Sequence, residues 1–161
     1  MTTIAPCLWF DGKAEEAARF YVSLLPHSHI DSVVPYYFEA PGGKPGDVMM
    51  VEFTLAGERY MALNGGAAFQ FTPAVSLCVS CGDQAEIDRL WDALCDGGSP
   101  GRCGWLTDRY GVSWQITATA ATELLRGRDG EKIRRTFAAL MTMDKLDLET
   151  LQKAYDGVSA A

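Results

Sequence analysis

Two stretches of this chain follow one plan, and that internal repeat restricts the fold more than any other feature. In the first, "IAPCLWF" is an apolar run of strand type, followed by "DGKAEEAARFYVSLLP". Ala14, Ala17, Ala18, Tyr21 and Leu25 recur there at helical spacing and Pro26 closes the segment, which predicts a helix over about 13–25. In the second, "AVSLCVSC" is the strand and "GDQAEIDRLWDALCDGG" the helical segment, with a helix expected over about 84–96. Asp83 and Glu86 form a D-x-x-E cap, Ile87, Leu90, Trp91 and Leu94 make the apolar stripe, and Gly97 with Gly98 ends it. The registers agree, since Pro6 precedes Phe20 by fourteen residues, as Ser76 precedes Leu90.

Each predicted helix leads into strand-like runs. After the first come "IDSVVPYYF", broken by Pro35, then "VMMVEFTLAG" and "RYMALNGG", with a short hairpin turn at Ala56-Gly57-Glu58. After the second come "GRCGWLT", the turn "DRYG" and "VSWQITA". The pattern is β-α-β-β-β twice, an α+β chain with modules over 4–66 and 73–118 of one domain, 1–118, and a helical C-terminal extension, 119–161. The composition of "APGGKPGD", 40–47, predicts a mobile loop. In the extension, Ile133, Phe137, Leu140 and Met141 form an apolar face that must bury, as a cap on the domain or as a dimer contact.

Charge and cysteine usage narrow the partners. A net charge of −7 and a pI near 4.7 argue against nucleic acid and against an anionic membrane surface. No run approaches the roughly 18 apolar residues of a membrane span. Five cysteines, an odd number, and a start without a basic leader point to the reducing cytoplasm. Cys78 and Cys81 are spaced C-x-x-C, but on a strand they face opposite sides, which favours separate thiols over a zinc or redox pair.

The segments "PCLWFDGKAEEAARFY", "LNGGAAFQFTPAVSLCVSC", "IDRLWDAL" and "CGWLTDRYGVSWQI" resemble, in order and wording, the PhnB-like branch of the vicinal oxygen chelate superfamily. That branch is often labelled demethylubiquinone-methyltransferase-like, and the resemblance covers roughly residues 4–118. It implies a cupped mixed sheet in each module, helices outside, a cavity within and a homodimer. Metal-using relatives draw ligands from the first and last strands of each module, positions that fall here at Pro6, Asn64, Ser76 and Gln115. None is a histidine or carboxylate, and neutral amides hold divalent ions poorly, so no catalytic metal is expected. Glu52, on a neighbouring strand, is a lone carboxylate, and His27 and His29 share a turn away from these positions. No glycine-rich loop between a strand and a helix offers a cradle for an adenosyl cofactor, and no cofactor is expected.

Alternation along the last strand assigns its faces. Val112, Trp114 and Ile116 share the apolar side, while Ser113, Gln115 and Thr117 share the side expected to line the cavity. Ser76, Cys78 and Ser80 divide from Val75, Leu77 and Val79 in the same way. Asp108 and Arg109 belong to the hairpin turn "TDRYGV". Trp91, Trp105 and Trp114 are expected in the core, and Trp9 with Cys7 on the helix-facing side. The expected ligand-binding set is Leu8, Phe10, Glu52, Asn64, Ser76 and Gln115. These features suggest a small-molecule-binding protein without metal. The alternatives are a metal-independent or weakly metal-dependent lyase, isomerase or transferase acting on a small metabolite, with Glu52 as acid or base, and a dimerisation module whose cavity is filled by side chains.

Overall fold

The repeat folds into two sheets of one strand order, each closed by parallel pairing of its first and last strands. The computed structural model describes residues 2–158, and the chain divides into two units, Met1–Phe71 and Thr72–Ala161. In the first unit β1 (Cys7–Phe10) leads to α1 (Ala14–Leu24), then β2 (His29–Pro35), β3 (Val48–Leu55) and β4 (Glu58–Asn64). Their order is β1-β4-β3-β2. In the second, β5 (Leu77–Cys81), α2 (Gln84–Cys95), β6 (Ser99–Pro100), β7 (Trp105–Thr107) and β8 (Ser113–Ala118) repeat it as β5-β8-β7-β6. Both units are βαβββ modules, and each predicted helix boundary lies within one residue of the observed one.

Successive strand side chains point to opposite faces, and burial identifies the face that meets the helix. In the first unit Leu8, Phe10, Val51, Phe53, Leu55 and Ala62 are buried with Ala14, Ala17, Ala18 and Tyr21 of α1. Three alanines on that side of α1 let the helix lie close, and the sheet supplies the bulk. Ile87, Leu90, Trp91 and Leu94 of α2 meet Cys81, Leu106, Trp114 and Ile116 in the second unit, all buried. Two tryptophans depart from expectation. Cys7 is exposed and Trp9 half-buried, because β1 pairs Leu8 with Ala62 and Phe10 with Asn64, both on the helix side. Trp105 also leaves the core, since its cross-strand partner is Gln115 on the open face.

Local signals set the element ends. Asp83 accepts from Glu86 N at 2.9 Å while Glu86 reaches back to Gly82 N at 2.8 Å, a capping box shifted by one residue at the return bond. The β3–β4 hairpin turns through Ala56 and Gly57, with φ of 52° and 88°, the pair of positive values a two-residue turn requires. The segment 40–47, expected to be mobile, closes on itself through paired Ala40 and Gly43 bonds and a bond from Gly46 N to Tyr36 O at 3.0 Å.

Beyond β8, α3 (Thr119–Leu125), α4 (Gly130–Leu140) and α5 (Leu148–Asp156) lie in the second unit. The connection before α5 docks on α2: Gln84 donates to Leu146 O and accepts from Leu148 N, both at 2.9 Å, and Lys145 pairs with Asp88 at 2.9 Å. Leu146 is 3% exposed. The apolar face expected to bury on α4 does so only in part within the chain: Ile133 and Leu140 are half-buried, Phe137 is 53% and Met141 50% exposed, and Thr136 is fully buried. The turn of α4 seats Thr136 and Arg135 toward α5, where Arg135 donates to the carbonyls of Ala154 and Tyr155 at 3.0 and 2.8 Å. No helix among the described residues is long and apolar enough to cross a membrane.

Candidate functional site

Each sheet leaves one face uncovered by its own helix, and the two faces differ in chemistry. On the second sheet the pairings Cys78 with Gln115 and Gln115 with Trp105 set these three side chains in one row. Thr107 pairs with Ser113, and Ser80 with Thr117, to continue the same side. Gln115 is half-buried and donates through Nε2 to Ser76 Oγ at 2.9 Å. Its Oε1 has no partner among the described residues and is a free acceptor. The predicted polar side of β8 is thus realised, and it brings Ser76 and Gln115 together.

On the first sheet the open face carries two rows. One runs from Cys7 through Met61 and Glu52 to Ser32, the other from Trp9 through Leu63 to Met50. Ser32 Oγ donates to Glu52 Oε2 at 2.8 Å, fixing one oxygen of the half-buried carboxylate. The Trp9 ring is fixed as well. Its Nε1 donates to Gly66 O at 2.7 Å, Phe69 meets it edge-on at 5.0 Å, and a Cβ on Gly65 would fall 2.1 Å from it. Gly65 is therefore required by a ring lying against the backbone. A groove of about 400 Å³ opens beside Glu52, Arg59 and Met61, walled by Ile4 and Ala5.

The other expected site residues lie elsewhere. Leu8 and Phe10 are 8% and 3% exposed on the helix side, so the register turns them away from the open face. Asn64, 5% exposed, is bonded at both ends of its amide: Oδ1 accepts from Ala14 N and Nδ2 donates to Val48 O, each at 2.9 Å. Its carbonyl accepts from Tyr36 OH. It serves α1 as a remote N-cap, which Lys13 does not provide. Trp9 is the open-face residue that strand parity missed; the glycine pair after β4 was the available signal of a ring packed on backbone.

Residues of catalytic type are also accounted for. Asp108, 3% exposed, accepts from Tyr110 N, Val112 N and Trp114 Nε1 at 2.8, 3.0 and 2.8 Å. Arg109 pairs with Asp96 at 2.6 Å. His27 and His29 are exposed, and His29 pairs with Asp31 at 3.1 Å. Cys78 is exposed and Cys81 buried on the opposite side. Burial, with the Glu86 and Asp83 charges, pushes the Cys81 thiol up to about 11, which keeps it protonated and unreactive.

The family model described as 3-demethylubiquinone-9 3-methyltransferase matches residues 2–117. The chain belongs to this family. A PhnB protein from Bacillus cereus is 38% identical over 73% of this chain and 100% of its own, with a TM-score of 0.67. Protein PA1353 from Pseudomonas aeruginosa, 24% identical over 73% of this chain and 98% of its own, shares the fold at a TM-score of 0.59. No curated protein matches the chain. The matched span contains the motifs on which the sequence resemblance to the PhnB-like branch rests.

Neither a metal at the four strand positions nor a methyl-donor cofactor fits the residues present. For a metal, Pro6 offers only a carbonyl already accepting from Met61 N, Asn64 has no free amide atom, and Ser76 and Gln115 are neutral. Among the described residues no three His, Cys, Asp or Glu side chains gather to hold an ion. For a methyl-donor cofactor, the pair Gly65–Gly66 is occupied by Trp9 and leads to no helix, and the α1 N-terminus is capped by Asn64.

Proposed function

We propose that this member of the family binds a polar small molecule on its open sheet faces without a catalytic metal, as a cytoplasmic homodimer. The observation that carries this is Gln115: it stands half-buried among hydroxyls with a free carbonyl oxygen. An amide presents donor and acceptor together, so it orients an uncharged or anionic group by hydrogen bonds. Trp105 and Cys78, which flank Gln115 in the same row of the second sheet, supply the apolar contact area that small-ligand sites generally need.

Native mass spectrometry of the purified chain, followed by thermal-shift screening of metabolites, tests the proposal. A bound or stabilising small molecule is expected, and Gln115→Ala should weaken its binding by about 0.5–3 kcal/mol. Elemental analysis of untagged protein should find no stoichiometric divalent metal. Light scattering at micromolar concentration should report twice the 17.5 kDa chain mass.

A second function, metal-independent catalysis, is favoured by Glu52, whose carboxylate is held on an open face by Ser32. It would act as general acid or base. A covalently altered product should form on incubation, and Glu52→Gln should abolish turnover even at saturating ligand.

A further inference from the structure

Two opposite charges line the groove on the first sheet without meeting. Antiparallel pairing of Glu52 with Met61 and of Thr54 with Arg59 makes Glu52 and Arg59 diagonal neighbours on one face. Their roots on such a diagonal lie about 7–8 Å apart. No ion pair joins them, and Arg59 has no hydrogen-bond or ion-pair partner among the described residues. Ser32 holds one oxygen of Glu52, and the other has no partner among the described residues. Arg19 and Arg134, also exposed, each pair with a carboxylate at 2.7 Å.

From this geometry we propose that the groove takes a small zwitterion, its carboxylate on the Arg59 guanidinium and its ammonium on Glu52. This rests on the small-molecule function proposed above and names its ligand class. The planar guanidinium matches a carboxylate through paired N–H donors, and a carboxylate with a free oxygen accepts from an ammonium. Ile4, Ala5 and Met61 give apolar wall for the methylenes between the two charges, and about 400 Å³ suits a compact metabolite. A ligand of one sign would leave the opposite groove charge uncompensated. A zwitterion satisfies both.

Calorimetry on the full chain with β-alanine and γ-aminobutyrate, each beside its N-acetyl and methyl ester forms, tests this. At least one parent zwitterion should bind saturably, and blocking either charge should weaken binding about tenfold or more. Arg59→Met and Glu52→Gln should each cause a comparable loss. Arg59 is exposed and the glutamine can still accept from Ser32, so neither variant threatens the fold. Failure of both zwitterions to bind, equal binding of the blocked forms, or indifference to both substitutions would overturn the proposal. If uncharged metabolites bind with Gln115-dependent affinity while the zwitterions do not, the ligand class fails and the small-molecule function stands. If nothing of either kind binds, both fail.

Discussion

Trp114 and Gln115 are neighbours in sequence with opposite fates, and the comparison separates structural from binding roles. Trp114 is 1% exposed with its indole bonded to Asp108, while Gln115 faces the open side with one side-chain donor bond to Ser76. Trp114→Ala should cost about 3–5 kcal/mol of stability by leaving a cavity and removing the indole donor to Asp108 Oδ2. Gln115→Ala should cost about 0.5–1.5 kcal/mol, the net worth of one hydrogen bond, in urea melts of the two variants. Equal losses would assign Gln115 to a structural network. Cys81 gives a pH-dependent prediction at the same scale. Its thiol is raised from 9.0 to about 11 in the folded chain, so between those values the folded state holds a proton the unfolded state has lost. Stability from this group is full below pH 9 and falls as pH rises toward 11, by on the order of 2 kcal/mol. Melts at pH 8 and 10.5 should show a steeper decline for the natural chain than for Cys81→Ala.

Helix α1 depends on a residue far from it in sequence. Its first N–H groups receive no side-chain cap from Lys13, and Asn64 Oδ1 takes the Ala14 N–H from the end of β4. Asn64→Ala therefore removes a buried acceptor and also strips Val48 O of its donor. The expected loss is about 1–3 kcal/mol, with faster hydrogen exchange in the first turn of α1 than in α2. Asn64→Asp keeps the acceptor at Oδ1 but loses the donor to Val48, and should recover part of the protection at α1. Helix α2 carries its own cap in Asp83 and Glu86 and needs no such partner, which is why its start was readable locally.

For the second unit as a whole, the C-terminal helices are part of the structure through the connection preceding α5. Leu146 is buried, its carbonyl and the Leu148 N–H are both held by Gln84, and Gly104 leaves room for the Leu146 side chain. Leu146→Ala should destabilise the chain by about 2–5 kcal/mol. Exchange should rise first over 142–156, read by hydrogen-exchange mass spectrometry. If the loss were confined to a few tenths, the extension would be an appendage. Lys145, bonded to Asp88 and facing Asp92, has its pKa raised by those carboxylates, and Asp88 lies below its usual range. Both groups are partly exposed, so salt should weaken this contact without detaching the apolar anchor.

The sequence alone determined the repeat, the two helix spans, the capping box at α2 and the polar side of β8. Each is a local matter of side-chain period, cap chemistry and turn residues acting over one or two turns of chain. It also restricted the metal chemistry, because donor type is read from residue identity. Tertiary structure decided which face of β1 meets α1, since a strand of four residues with bulky side chains on both sides has no polar face to orient it. Pairing with β4 broke that symmetry, sending Leu8 and Phe10 inward and Trp9 outward. Pairing likewise decided that Asn64 caps a helix fifty residues away, and that Glu52 and Arg59 share a groove. These depend on which strands lie side by side, a long-range choice made by burying the largest apolar area and satisfying every backbone group at once.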